Sequence, residues 1–187
     1  MTKTWVLIDG FTRAYPMFIV LYSFLSGLLN NENEGIMLGF YLLGTDIFNH
    51  FLKIFVFKPN MKNKCFPILG YGCRPPKCKN TGLFKDGRIS TSYGMPSGHA
   101  QVAWTFTTYW CLRLWNEGNR SMNSKILPIF LLLCCSSLIS YSRVGWAKCH
   151  SIQQVVVGSL IGIPLGFWGY TIIASKREPE KNIKMRK

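Results

Sequence analysis

Three short blocks of the sequence hold side chains able to do phosphoryl chemistry. Met95-Pro96-Ser97-Gly98-His99 leads into one apolar segment, Ser142-Arg143 and Cys149-His150 bracket a turn between two others, and Arg74-Pro75-Pro76 lies in a long polar connection. Two imidazoles, two guanidiniums and the Lys53 ammonium, with no acid near them in sequence, make a poor structural network and a good receptor for an oxyanion. Arg offers a planar fork that matches phosphate oxygens, and Lys adds a point charge. Backbone N–H groups at a Gly-containing helix entry, Ser97-Gly98, add further donors. A neutral imidazole can then attack phosphorus while a protonated one delivers a proton to the leaving oxygen. Fixed cations in sufficient number neutralise the equatorial oxygens of the transition state, so no metal is required. A single histidine at a helix end is most often a satisfied surface residue; the blocks in register on one face point the other way.

These groups need a scaffold, and the composition says which. The chain has 187 residues, 48% hydrophobic and only 16% charged, with a net charge of +14. Its mean hydropathy is +0.14, whereas a soluble domain carries about 25% charged residues. The basic residues fall between apolar runs instead of forming one basic patch or helix, which argues against nucleic acid as a partner and for a bilayer.

The cores Tyr15–Leu29, Ile126–Tyr141 and Ser151–Ala174 have spanning length, and Ala100–Leu112 reaches it if extended to Trp115. A further core, Gly35–Phe57, is interrupted by Asp46, Asn49, His50 and Lys53 at i, i+3, i+4 and i+7. That spacing puts all four on one helical face, expected to look into the bundle because ionisable groups at membrane depth are costly. The fold expected is all-α, an integral membrane helical bundle of about five transmembrane helices. Residues 1–175 form the membrane domain and residues 176–187 a basic, cytosolic or solvated tail. No cleavable signal peptide is evident, so the first span is expected to be retained.

Five spans put the Lys58–Ser97 connection and the Arg143–His150 turn on one side of the membrane. Asn31–Glu34, Trp115–Lys125 and the tail fall on the other. That connection is several times the usual length of about 4 to 6 residues, a mark of functional or disordered segments. Both sides are basic, so the positive-inside rule fixes no orientation.

With these blocks in order between apolar spans, the sequence resembles the type 2 phosphatidic acid phosphatase superfamily, integral-membrane lipid phosphatases related to vanadium haloperoxidases. Its pattern is K-x6-R-P, then P-S-G-H, then S-R-x5-H-x3-D. The resemblance implies a haloperoxidase-like helical core and hydrolysis of a lipid phosphate or diphosphate without metal or other cofactor. By the same resemblance His150 is the nucleophile that forms a phosphohistidine, and His99 is the acid that later activates water. Arg74, Arg143, Ser97, Gly98 and Lys53 bind the phosphoryl oxygens.

Three departures stand out. Pro67 occupies the position seven before Arg74, so the first-block cation is Lys53, which follows an N-x-x-L-K-like lead-in at Asn49, or else Lys58, Lys62 or Lys64. Six residues instead of five separate Arg143 from His150. Gln154 stands where most relatives have Asp; it lies one turn on from His150 and can accept the Nδ1 proton, although Gln153 could do so instead. Gln at that position is shared with relatives of the dolichyl or polyprenyl diphosphate phosphatase type, which implies a prenyl diphosphate substrate and, by analogy, the endoplasmic reticulum membrane. Phosphatidate or another phospholipid is the alternative substrate, and a non-catalytic protein binding anionic lipid through the same basic pocket is the alternative class.

Of seven cysteines, Cys111, Cys134 and Cys135 fall inside spans and read as small apolar packers. Cys65, Cys73 and Cys78 share the long connection and could form one disulfide on an oxidising side. Trp115, Trp146 and Trp168 read as interface anchors.

Overall fold

The computed structural model describes residues 3–61, 93–117 and 121–175 of the chain. Each apolar run forms one long helix. α1 spans Lys3–Leu29 and α2 spans Asn33–Phe51, continuing through a π-helical segment, Leu52–Phe57, into a last turn, α3, Lys58–Met61. Then come α4, Gly98–Trp115, α5, Met122–Val144, and α6, Ile152–Ser175. Among the described residues the result is an all-α bundle of five long helices. Four stretches, Ile8–Leu29, Asn33–Asn60, Met122–Val144 and Ile152–Ala174, are long and apolar enough to cross a membrane. Their outer faces expose Leu21, Phe40, Phe130, Leu131 and Leu160, a surface suited to hydrocarbon and not to water. The chain is a multi-pass membrane protein. Arg74, Lys62, Lys64, Cys65, Cys73, Cys78 and the 176–187 tail lie outside the described residues.

α1 starts well before Tyr15, because the charges that seemed to delay it cancel within one turn. Arg13 Nε lies 2.8 Å from Asp9 Oδ2, an i, i+4 pair. The turn into α2 closes with the Glu32 N–H donating to the Gly27 carbonyl at 2.8 Å. Asn31 sits there at φ 52°, a left-handed conformation that Asn tolerates.

α4 is the central helix, and its environment explains its composition. Ala100, Gln101, Val102, Ala103, Thr105 and Thr107 are at most 1% exposed, so the polar ones need partners inside the bundle. They have them. Asn49 Nδ2 donates to Gln101 Oε1 at 2.8 Å, and Gln101 Nε2 donates to the Thr45 carbonyl at 2.9 Å. Thr105 Oγ1 bonds the Gln101 and Gly162 carbonyls, and Thr107 pairs with Ser136 of α5. At the far end, Glu34 Oε1 accepts from both Tyr109 Oη and Arg113 Nε at 2.8 Å. A helix enclosed on all sides needs no apolar perimeter.

The tightest seam runs between α4 and α6. Gly158, Gly162 and Gly166 repeat every four residues, a stripe on one face of α6. A Cβ on each would lie 2.5, 2.4 and 2.5 Å from the carbonyl oxygens of Ser97, Gln101 and Thr105, which repeat at the same interval on α4. Without side chains the backbones meet directly, the small-residue packing that membrane helices use where burial from water supplies no driving force.

On α2 the expected polar face is only partly inward. Asn49 and Lys53 are buried and continue the Thr45 stripe that meets α4, whereas Asp46 and His50 are exposed. Each lies one residue past the inward stripe, about 100° around the helix. That rotation leaves both exposed, although Asp46 Oδ1 stays close to the entry of α4, where a Cβ on Gly98 would lie 3.7 Å from it; the reading that all four residues face the interior holds in full only for Asn49 and Lys53.

Replacing Gly162 by valine forces α4 and α6 apart. Overpacking of this kind costs about 1–3 kcal/mol or more, so detergent-solubilised Gly162→Val is expected to melt several degrees below wild type. A valine at Gly44, whose Cβ would meet nothing within 4 Å, should leave the melting temperature unchanged.

Candidate active site

His150 is placed by a turn that the sequence spacing alone did not define. After α5 ends, the Gly145 N–H donates to the Tyr141 carbonyl at 2.8 Å and the Ala147 N–H to the Ser142 carbonyl at 2.9 Å. The Arg143 carbonyl then accepts from both Cys149 N and His150 N, at 3.0 and 3.2 Å. Lys148 takes up the reversal at φ 50°. The sixth residue between Arg143 and His150 is thus absorbed in a doubly bonded loop, with Arg143 4% and His150 3% exposed.

Gln154 joins this turn to the second block. Its Oε1 lies 2.9 Å from His150 Nδ1 and also receives the Ser151 N–H at 3.4 Å. Two groups on one atom identify it as the amide oxygen, the point usually open to doubt for Gln. An oxygen only accepts, so His150 Nδ1 carries the hydrogen, and in the neutral ring Nε2 holds the lone pair. Gln153 points outward and is exposed. The backbone carbonyl of Gln154 in turn accepts the Ser97 N–H at 3.0 Å, linking the His150 turn to Pro96-Ser97-Gly98-His99.

Gly94 makes that junction sterically feasible. A Cβ there would lie 2.6 Å from Gln154 Oε1. Ser97 occupies the N-cap position of α4 but makes no side-chain cap. Its Oγ is fully buried and without a hydrogen-bond partner among the described residues. The first turn of α4 therefore presents a buried hydroxyl beside backbone N–H groups, at the positive end of the helix dipole. Gly98 backs onto α2, where a Cβ would come within 3.2 Å of Asn49 Oδ1.

His99 Nε2 lies 3.0 Å from the backbone carbonyl of Arg13 in α1. A carbonyl also only accepts, so that nitrogen is the donor. Lys53, 9% exposed, sits in the π-helical segment one stripe position beyond Asn49. π-turns inside α-helices are rare and concentrate at functional sites.

The structure therefore bonds His150, Gln154 and Ser97 into one unit and docks His99 on α1. Lys53 and Arg143 are buried on helices that pack against α4. Arg74 falls outside the described residues, and Lys58 is exposed on α3.

Sequence reasoning missed three contributors. Gly94 and the Gly158/Gly162/Gly166 stripe were legible as spacing. The Arg13 carbonyl was not, being a backbone group 86 residues from its partner. The cysteine reading also needs correction. Cys149, next to His150, is disulfide-bonded, while Cys134 and Cys135 are free and exposed on the outer face of α5, not packed inside.

Residues 34–178 match the PAP2 superfamily, and the chain belongs to that family; α1 precedes the matched region. Dolichyldiphosphatase 1 of Dictyostelium discoideum is 41% identical over 85 residues, 44% of this chain and 36% of its own. Dolichyldiphosphatase 1 of Homo sapiens is 35% identical over 81 residues, 40% of this chain and 34% of its own. Dolichyldiphosphatase of Saccharomyces cerevisiae is 25% identical over 185 residues, 94% of this chain and 70% of its own. The chain spans about a third of the length of the first of the relatives it matches. No solved structure matches.

The hydrogen-bond geometry sets a spectroscopic expectation. In 15N-histidine spectra of the purified protein, His150 should appear as the Nδ1–H tautomer. Gly94→Ala and Gln154→Ala should shift it toward a tautomer mixture. Unchanged spectra in both variants would contradict the assigned pairing.

Proposed function

We propose that this chain is a metal-independent lipid phosphatase that hydrolyses a polyprenyl diphosphate of the dolichyl type through a phosphohistidine on His150. The observation that carries this reading is the double engagement of Gln154, with its side chain on His150 Nδ1 at 2.9 Å and its backbone on the Ser97 N–H at 3.0 Å. One residue thereby aims the nucleophile and anchors the anion-binding helix entry.

The His150 Nε2 lone pair attacks the terminal phosphorus, and the bond from phosphorus to the bridging oxygen breaks. His99, protonated, delivers its proton to that oxygen, and the polyprenyl monophosphate departs. Water then attacks the phosphohistidine. His99 takes the water's proton, the P–N bond breaks, and inorganic phosphate leaves with Nε2 restored. Lys53, Arg74, Arg143, Ser97 Oγ and the first-turn N–H groups of α4 neutralise the phosphoryl oxygens.

Gln154 fixes the tautomer but, being neutral, does not stabilise the imidazolium by charge. A phosphate leaving group is less demanding than an alkoxide, so a neutral orienter suits a diphosphate. The similarity to dolichyldiphosphatases supports the same substrate class. A disulfide at Cys149, beside the nucleophile, supports a site facing an oxidising compartment such as the endoplasmic reticulum lumen.

Purified protein assayed in EDTA against dolichyl diphosphate, phosphatidic acid and lysophosphatidic acid should release phosphate fastest from the diphosphate. His150→Ala should lower turnover by at least about 1,000-fold and Gln154→Ala by roughly 10- to 100-fold. Equal turnover in wild type and His150→Ala, or strict dependence on magnesium, would overturn the mechanism.

A further inference from the structure

Outside the polar site, α2 and α6 enclose a groove. It is open to the bilayer side, has a volume of about 630 Å³, and is lined along α2 by Met37, Tyr41, Gly44, Thr45 and Phe48. On α6 it runs from Leu165 past Trp168 to Ile173. The shape depends on two glycines. A Cβ on Gly169 would lie 2.5 Å from Tyr41 Cε1, so only glycine lets that ring rest on α6, where its hydroxyl donates to the Leu165 carbonyl at 2.6 Å. At Gly44 a Cβ would meet nothing within 4 Å, so the absent side chain leaves space in the groove wall.

An apolar groove in a membrane is filled by hydrocarbon of some kind; its occupant follows from where it leads. Met37, Tyr41 and Thr45 line it at four-residue steps, and Asn49 and Lys53, both buried, continue that stripe. Asn49 is bonded to Gln101 and stands against Gly98, which sets it level with the entry of α4. The lip continues the same way. Phe48, Phe51 and Phe55 follow one another along the helix with ring centroids 6.4 and 4.9 Å apart.

From Met37 to Phe48 the groove descends about 16 Å, roughly half the hydrocarbon thickness. Headgroup site and apolar channel are thus consecutive stretches of one helix face.

We propose that this groove holds the hydrocarbon chain of the lipid substrate and makes turnover depend on chain length; the assignment of that lipid as a prenyl diphosphate rests on the reading given above. The tail is already in an apolar phase before it binds, so transfer from water contributes little. Discrimination comes from packing against Tyr41, Phe48 and Trp168. A chain too short to pass Phe48 gains none of it.

The test fills the groove without touching the polar site. In Gly44→Phe, the ratio of kcat/KM for undecaprenyl diphosphate to that for geranyl diphosphate should fall at least about tenfold, a difference of about 1.4 kcal/mol. Leu131→Phe, which adds bulk to the outward face of α5, should change it less than about twofold. An unchanged ratio in Gly44→Phe, or an equal fall in Leu131→Phe, would overturn the proposal, because an ordinary bilayer lipid would then be the occupant. A polyprenyl diphosphate carrying a diazirine at its chain end supplies a reading independent of turnover. Label on the α2–α6 groove residues, lost in Gly44→Phe, supports the proposal; label confined to other helices overturns it. Wild-type protein that takes the label in the groove but hydrolyses no diphosphate would sink the catalytic reading and leave the groove assignment standing.

Discussion

The backbone of α6 lies directly on the backbone of α4, and everything at the polar end depends on that contact. Three glycines at four-residue spacing leave nothing between α6 and the carbonyls of Ser97, Gln101 and Thr105. At this separation the first turn of α6 reaches the entry of α4, and the Gln154 carbonyl can accept the Ser97 N–H. One turn back, the Gln154 side chain meets His150. A seam wider by one methyl group would break the Ser97 bond and leave the two motif blocks independent. Membrane burial cannot supply such precision, since lipid is as apolar as any side chain. It comes from shape.

Polar side chains do the complementary work. A chain of Asn49, Gln101, Thr105, Thr107 and Ser136 runs through the centre of the bundle, each hydrogen-bonded to a neighbouring helix. In a dry interior each such group would be costly alone. Paired, they fix the rotation of α2, α4 and α5 about their axes. Asn49 is the clearest case, because its bond to Gln101 turns Lys53, one stripe position on, inward toward α4, so that Lys53 is buried where Asp46 and His50 are exposed.

Much of this was legible in the letters. Charge-free runs located the helices, and the Ser97, His99, Arg143 and His150 blocks were visible as motifs placed at helix ends. The choice between Gln153 and Gln154 was not, because helical spacing permits both and only the geometry excludes Gln153. Nor was the inward or outward fate of the four polar residues of α2, which depends on where α4 packs within an arc of about 100°. Hidden altogether were contributions from groups with no side-chain signature: the Arg13 carbonyl at His99 and the two N–H groups sharing the Arg143 carbonyl. α4 shows the reverse limit. Its apolar run looked marginal because a helix enclosed by protein is not selected for lipid.

Apart from Arg74, which falls outside the described residues, the proposed site is one pocket where His150 Nε2, the buried Ser97 hydroxyl and the N-terminus of α4 would address the same phosphorus. A structure of the full chain with orthovanadate, a mimic of pentacoordinate phosphorus, tests this most directly. Vanadium is expected bonded to His150 Nε2, with its oxygens on Ser97 Oγ and the first-turn N–H groups of α4, and with Gln154 still on Nδ1. Vanadate bound away from His150, or bonded to it with α4's entry uninvolved, would contradict the proposal.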